Sequence, residues 1–168
     1  MRGGGTLSQF DQAVHKVMEH LSHDADLQDI RFIFGYPPSS RPYPRKQITA
    51  AVGLQGVECL GGGLGGYLGA GQNGEIMGGR VELSISILLL SPPQMGGESC
   101  TEAFSRICGS LMLGGLSGVQ SVAGGALQYH GEGSDFRMQC IVKMRLYWGA
   151  DDAVSPPIQQ VTVKGVAT

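Results

Sequence analysis

Charge is scarce in this chain. Asp, Glu, Lys and Arg make up 15% of its 168 residues, against roughly 25% in an ordinary soluble domain. The net formal charge is −2 and the pI about 6.0. A protein that wraps DNA or RNA by neutralising phosphates needs a basic surface, so sequence-specific nucleic-acid binding is not expected. Long hydrophobic runs are missing as well. The longest, Ile87 to Leu90, has four residues, where a bilayer-spanning helix needs about 18–20. The opening MRGGGTLSQF holds no apolar core of signal-peptide length. The expectation is a protein made in the cytoplasm, with no membrane partner. The four cysteines, Cys59, Cys100, Cys108 and Cys140, form no CxxC pair, which argues against a zinc knuckle or a thioredoxin-type site. Free Cys is among the most buried residue types, so four reduced thiols are expected.

Recognisable chemistry is also lacking. No GxxxxGK[ST] run is present, and Gly63-Leu64-Gly65-Gly66-Tyr67-Leu68-Gly69 misses the GxGxxG spacing of a dinucleotide site. A strand follows it, not a helix whose N-terminus would hold an anion. No GxSxG elbow occurs, and no nucleophile has a base at a recognisable spacing. His20 and His23, beside Glu19 and Asp24 in EHLSHD, stand three apart as metal ligands can. A solvated helix end, where His complements the helix dipole, is the preferred account of them. Asp151 and Asp152 follow a strand end but have no neighbouring His or Lys to complete a site. The sequence therefore predicts no catalytic residue, no cofactor and no metal.

Glycine is what the chain has in excess: 28 of 168 residues, against a usual ~7%. Ten fall between Cys59 and Arg80 in CLGGGLGGYLGAGQNGEIMGGR, where Glu75 is the only charge before Arg80. A flexible linker normally joins domains. This stretch joins two strands and carries Leu64, Tyr67, Leu68, Ile76 and Met77. Apolar residues at intervals in so long a connection suggest an arm, residues 61–79, that orders against a partner, with a disordered hairpin tip as the alternative. Leu64, Tyr67, Leu68, Gln72, Asn73, Glu75, Ile76 and Met77 are its candidate contact residues. Low charge and high glycine together leave little solvated surface, which suits a subunit of an assembly.

Elsewhere the periodicity is ordinary. Leu7, Phe10, Val14, Val17 and Leu21 share one face of a helix over 6–21, with Thr6 and Gln9 as a capping box. Ile30, Phe32 and Phe34 alternate in a first strand. GYPPSSRPYPRK, with four prolines in residues 37–44, is an extended connector. QITAAVGLQGVECL reads as a second strand, weakened by Gly53 and Gly56. Val81, Leu83, Ile85, Ile87 and Leu89 face one way along the next, with Glu82, Ser84 and Ser86 opposite. A second helix over 99–113 carries Phe104, Ile107, Cys108 and Leu111, capped by Ser99 and Glu102 and stopped by Gly114 and Gly115. GVQSVAGGALQYH and DFRMQCIVKMRLYW close the domain as a hairpin turned by GEGS. On the last strand Phe136, Met138, Cys140, Val142, Met144, Leu146 and Trp148 face one way. Arg137, Gln139, Lys143 and Arg145 face the other. Arg137, Lys143 and Arg145 either line a solvated sheet face or meet an acidic partner. The predicted fold is α+β: one domain over 1–149, an antiparallel or mixed sheet of about five strands, two helices on one face and a Gly-rich hairpin arm. The C-terminal extension, 150–168, contains IQQVTVKGV after a Pro-Pro break, either a short strand or a tail that docks on a neighbour.

The order of YPRKQITAAVGLQGVECLGGG, GRVELSISILLLSPPQMGGESCTEAFSRICGSL and VQSVAGGALQYHGEGSDFRMQCIVKMRLYW resembles the tail terminator, or tail-completion, proteins of long-tailed phages and phage-derived contractile particles. The resemblance covers about residues 5–149. It implies a structural subunit without catalytic residues that forms a homohexameric ring on a finished tail tube, stops its growth and joins it to the neck or head. The implied partners are copies of itself, tube and sheath subunits and neck or connector proteins, with DNA passing through the ring. The implied place is the tail end of the virion, after assembly in the host cytoplasm. A head–tail connector, neck protein or tail-tube subunit is the nearest alternative of the same class. A small enzyme with an unrecognised site is an alternative of another.

Overall fold

A computed structural model of the chain describes residues 8–35, 46–60, 67–71, 74–132 and 134–149. Helix α1 spans Gln9–His23 and α2 spans Glu98–Leu113. The strands are β1 (Arg31–Phe34), β2 (Thr49–Leu60), β3 (Tyr67–Gly71), β4 (Gly74–Ser91), β5 (Val119–His130) and β6 (Asp135–Gly149). Five of them form a mixed sheet in the order β1-β2-β4-β6-β5, and β3 pairs with β4. The fold is α+β, as the periodicity predicts. β1 and β2 run parallel, Arg31 opposite Thr49 through Phe34 opposite Val52. Parallel neighbours need a crossover of a dozen or so residues, and residues 35–48 lie between the two strands. Residues 36–45 of that connector lie outside the described ones. The chain groups into two compact units, residues 1–58 with 82–146, and residues 59–81 with 147–168.

The core of the larger unit follows the sequence pattern. Val81, Leu83, Ile85, Ile87 and Leu89 are all buried. Val14, Val17 and Leu21 of α1 and Ile107 and Leu111 of α2 are buried with them, and Met138, Cys140, Val142 and Met144 of β6 complete the set. Phe10, Phe32, Phe104 and Leu146 are placed less deeply than expected and are only partly covered: Phe10 lies in the first turn of α1, Phe32 on the edge strand β1, and Phe104 against Gly124 of the other edge strand, β5. Phe34 is exposed and stacks flat on His15 of α1, ring centroids 4.3 Å apart. β1 is an edge strand that ends there, so its last side chain leans on the helix surface. Leu7 lies outside the described residues.

The helix ends differ from the predicted caps. α1 begins at Gln9 with Ser8 as its cap: the Asp11 N–H donates to Ser8 Oγ at 3.1 Å, and the Ser8 hydroxyl donates to Asp11 Oδ2 at 2.7 Å. The first bond is the N-cap half of a capping box with Asp11 in the third position, and the Asp11 carboxylate takes the Ser8 hydroxyl proton as its own partner. Thr6 lies outside the described residues. At α2 the cap is Gly97, with no side-chain hydrogen bond. The Ser99 hydroxyl instead donates to the Gly96 carbonyl at 2.7 Å and meets Ser91 Oγ at 2.6 Å. It ties the helix start to the end of β4. Gly114 closes α2, its N–H donating to Ser110 O at 2.8 Å.

Two polar links hold α2 against the N-terminal helix and the turn after it. His20 Nε2 lies 3.0 Å from the Ser110 carbonyl, which also accepts the Gly114 N–H at the end of the helix. Arg106 makes a two-pronged pair with Asp29, 2.7 and 2.9 Å, and also donates to Asp26 O at 2.7 Å. β2 runs unbroken over twelve residues. Gly53 and Gly56 do not interrupt it, although both lie beyond Val52, where the register with β1 ends. The final hairpin closes with His130 opposite Asp135. Its other end is closed by Gly118 at φ +93°, where an added Cβ would stand 2.7 Å from the Arg145 carbonyl. All four cysteines are free: Cys59 exposed, Cys108 partly covered, Cys100 and Cys140 buried. Burial pushes the Cys140 thiol up to about 12.

Ile85 is fully buried on the central strand, so Ile85→Ala is expected to cost about 2–5 kcal/mol in urea unfolding. The Arg106 hydrogen bond holds the Asp29 carboxyl below its ordinary range. A lowered carboxylate value stabilises the fold above the unfolded value of about 3.9 and ceases to do so as the pH falls through the folded value. Asp29 is largely exposed, so solvent screening limits the effect. Asp29→Asn should lower stability by about 0.5–1 kcal/mol at pH 7 and leave it unchanged near pH 2, measured by urea unfolding at both.

Candidate assembly surfaces

The predicted contact residues fall in two places. The first is the glycine-rich stretch. β3 pairs antiparallel with the beginning of β4: Tyr67 opposite Met77, Gly69 opposite Ile76, Ala70 opposite Glu75 and Gly71 opposite Gly74. A register shift lies between Tyr67 and Gly69, where Leu68 is the extra residue of the bulge. Strand β4 starts at Gly74 and continues to Ser91, so the second half of the predicted loop belongs to the longest strand. Leu64, Gln72 and Asn73 lie outside the described residues. Tyr67 and Met77, opposite each other in register, are 51% and 42% exposed. Directly opposed side chains in an antiparallel pair stand about 4.5–5.5 Å apart at Cβ. The two therefore present one apolar patch, with the glycines around them adding no polar cover.

The second place is the face of β6 opposite the core. Arg137 Nε bonds Asp135 Oδ1 at 3.0 Å, two residues away on the same face. Arg145 reaches Glu82 of β4 at 3.3 Å. Gln139 donates to Ser86 Oγ at 3.3 Å, and Ser86 is buried. Lys143 is exposed. Two of the three predicted cations thus have carboxylates of their own chain, which turns the strip from a basic face into a nearly neutral one. Period-2 alternation showed that these side chains share a face. It did not show that β4 and β6 are neighbours, which is what puts Glu82 beside Arg145.

The structure adds a surface that the sequence pattern does not single out. β5 is the last strand of the sheet, and ten of its twelve residues are exposed. Val122, Gly124, Leu127 and Tyr129 stand opposite Val142, Cys140, Met138 and Phe136 of β6. Gly124 lies under Phe104 of α2, where a Cβ would come within 2.9 Å of the ring. Tyr129 meets Phe136 at 5.2 Å in a tilted pair. Leu127 and Tyr129, on this same inner side, remain 41% and 59% exposed. Among the described residues no group of three or more His, Cys, Asp or Glu is placed to hold a metal ion, and no helix is long and apolar enough to cross a membrane.

No protein-family model matches the chain, and no curated protein does. Among solved structures it is similar to the sheath/tube terminator of an extracellular contractile injection system, PVC, in the extended state, seen by cryo-electron microscopy. The TM-score is 0.39 at 15% identity, covering 98% of this chain and 66% of that one. The chain thus spans just under two-thirds of that structure's length.

The charge pairing on β6 is checked by two reversals. Arg145→Glu places a carboxylate against Glu82 and is expected to cost about 1–2 kcal/mol in urea unfolding. Lys143→Glu should stay within about 0.5 kcal/mol of the parent.

Proposed function

We propose that the protein is a structural assembly subunit. It forms a ring on the end of a tail tube, ends the growth of that tube and provides the joint to the neck or head. The observation that carries this reading is the half-exposed Tyr67–Met77 pair on a glycine-rich, nearly chargeless hairpin. Ordering a glycine backbone costs about 1–2 kcal/mol per residue, and covering a large apolar side chain returns about 1.5–3 kcal/mol. Two such side chains offset the ordering of only a few residues. A single contact is therefore too weak to hold the arm, whereas the same contact repeated around a closed ring is held by every neighbour. Tube, sheath and neck subunits are the partners of this reading, and the tail end of a phage or contractile particle is its place. The resemblance of residues 5–149 to tail terminators supplies the class of particle.

A tail-tube or connector subunit would use the same apolar contacts, and the product distinguishes them: a terminator closes as a ring, whereas a tube subunit continues to stack. Replacing residues 62–78 by an Asn-Gly turn is the direct test. The shortened chain should fold with unchanged far-ultraviolet circular dichroism, and should neither form rings in negative-stain images nor cap tubes. Normal capping by the shortened chain would show the hairpin to be passive and would overturn the reading.

A further inference from the structure

The outer edge of β5 is free of any strand among the described residues. Exposed edges are normally blunted by Lys, Pro, strong bulges or short length. β5 has twelve residues, VQSVAGGALQYH, with no proline, no Lys, Arg, Asp or Glu. Register shifts between Val119 and Ser121 and between Gly124 and Leu127 are its one blunting device, and they leave regular stretches over 121–124 and 127–130 for an added strand. Its inner side leaves Leu127 and Tyr129 half uncovered, as if the sheet stopped one strand early.

The same chain carries a segment of matching chemistry. Ile158-Gln159-Gln160-Val161-Thr162-Val163-Lys164-Gly165-Val166 has Val161 and Val163 alternating with Thr162 and Lys164, and β-branched residues suit a pleated strand. Nine residues in a strand span about 30 Å, and the twelve of β5 about 40 Å. In register, the two valines extend the apolar side of Leu127 and Tyr129, while Thr162 and Lys164 extend the polar side of Ala123 and Gln128. β6 ends beside the Val119 end of β5, where Met144 pairs with Val119 and the Arg145 N–H bonds Gly118 O. Eight residues, 150–157, then lead to the segment and reach at most about 28 Å. To return along its own β5 the chain must reverse within ADDAVS, before two prolines that hold it extended. Outward extension needs no reversal.

We propose that residues 158–166 of one copy add as a strand to the free edge of β5 of a neighbouring copy, so that each subunit completes the next one's sheet. Such a head-to-tail exchange uses two different surfaces, the kind of contact that closes into rings. The inference holds for any assembly of these subunits and does not depend on what the ring caps.

Hydrogen exchange on the full-length protein tests it, with the assembled and diluted states compared and the mass measured by light scattering. In the assembly, the outward amides of 119–130 and those of 158–166 should be protected together, by tenfold or more, and both should lose protection in the diluted monomer. Thr162→Pro/Val163→Pro removes donors from the tail without touching the described fold. It should abolish protection of β5 and reduce the mass. Fast exchange along β5 in the assembled parent, or unchanged protection in the proline variant, would overturn the proposal. Protection that persists in the monomer would overturn it too, since the edge would then be covered by its own chain.

Discussion

The alternation of Val81, Leu83, Ile85, Ile87 and Leu89 along β4 is the constraint on which the rest depends. Five consecutive inward residues are fully buried, and a one-residue slip would move all of them to the opposite face. That fixes β4 at the centre of the sheet, between β2 and β6. The helices then dock by their own apolar stripes, and polar contacts fix their ends: Ser99 on Ser91, His20 on the Ser110 carbonyl, Arg106 on Asp29. The first residues of the same strand pair with β3. One continuous strand therefore serves both the core pairing and the hairpin.

Much of this was legible without coordinates. Both helices, all five sheet strands and the buried side of β4 and β6 follow from periods of 3.6 and 2. What periodicity does not carry is which elements become neighbours. The parallel pairing of β1 with β2 depends on how a proline-rich connector crosses over. The Glu82–Arg145 pair depends on residues 63 positions apart in the chain. Caps are decided locally among several Ser and Thr candidates, and at Ser8 both the Asp11 N–H and the Ser8 hydroxyl find a partner. Phe10, Phe32 and Phe104 lie less deep than their periodicity suggests, because a shared apolar face does not tell how far along it the neighbouring elements reach.

The surfaces argue for assembly in a consistent way. The cations of β6 are mostly matched within the chain, so charge gives little to a partner. Among the described residues the exposed apolar side chains include Tyr67 and Met77 on the hairpin and Leu127 and Tyr129 on the long edge strand β5. Features of this kind are a hazard in a free monomer and useful in a subunit whose neighbours are copies of itself. Glycine makes the hairpin costly to order alone, and a net charge of −2 does little to keep copies apart.

The central claim is that this chain is complete only in a closed assembly. Light scattering of the purified full-length protein, with negative-stain images of the same fractions, tests it most directly. The account predicts a discrete mass corresponding to a small whole number of subunits, six by the family resemblance, and ring-shaped particles with a central opening. A protein that stays monomeric over the accessible concentration range, or stacks into open tubes of indefinite length, would contradict it.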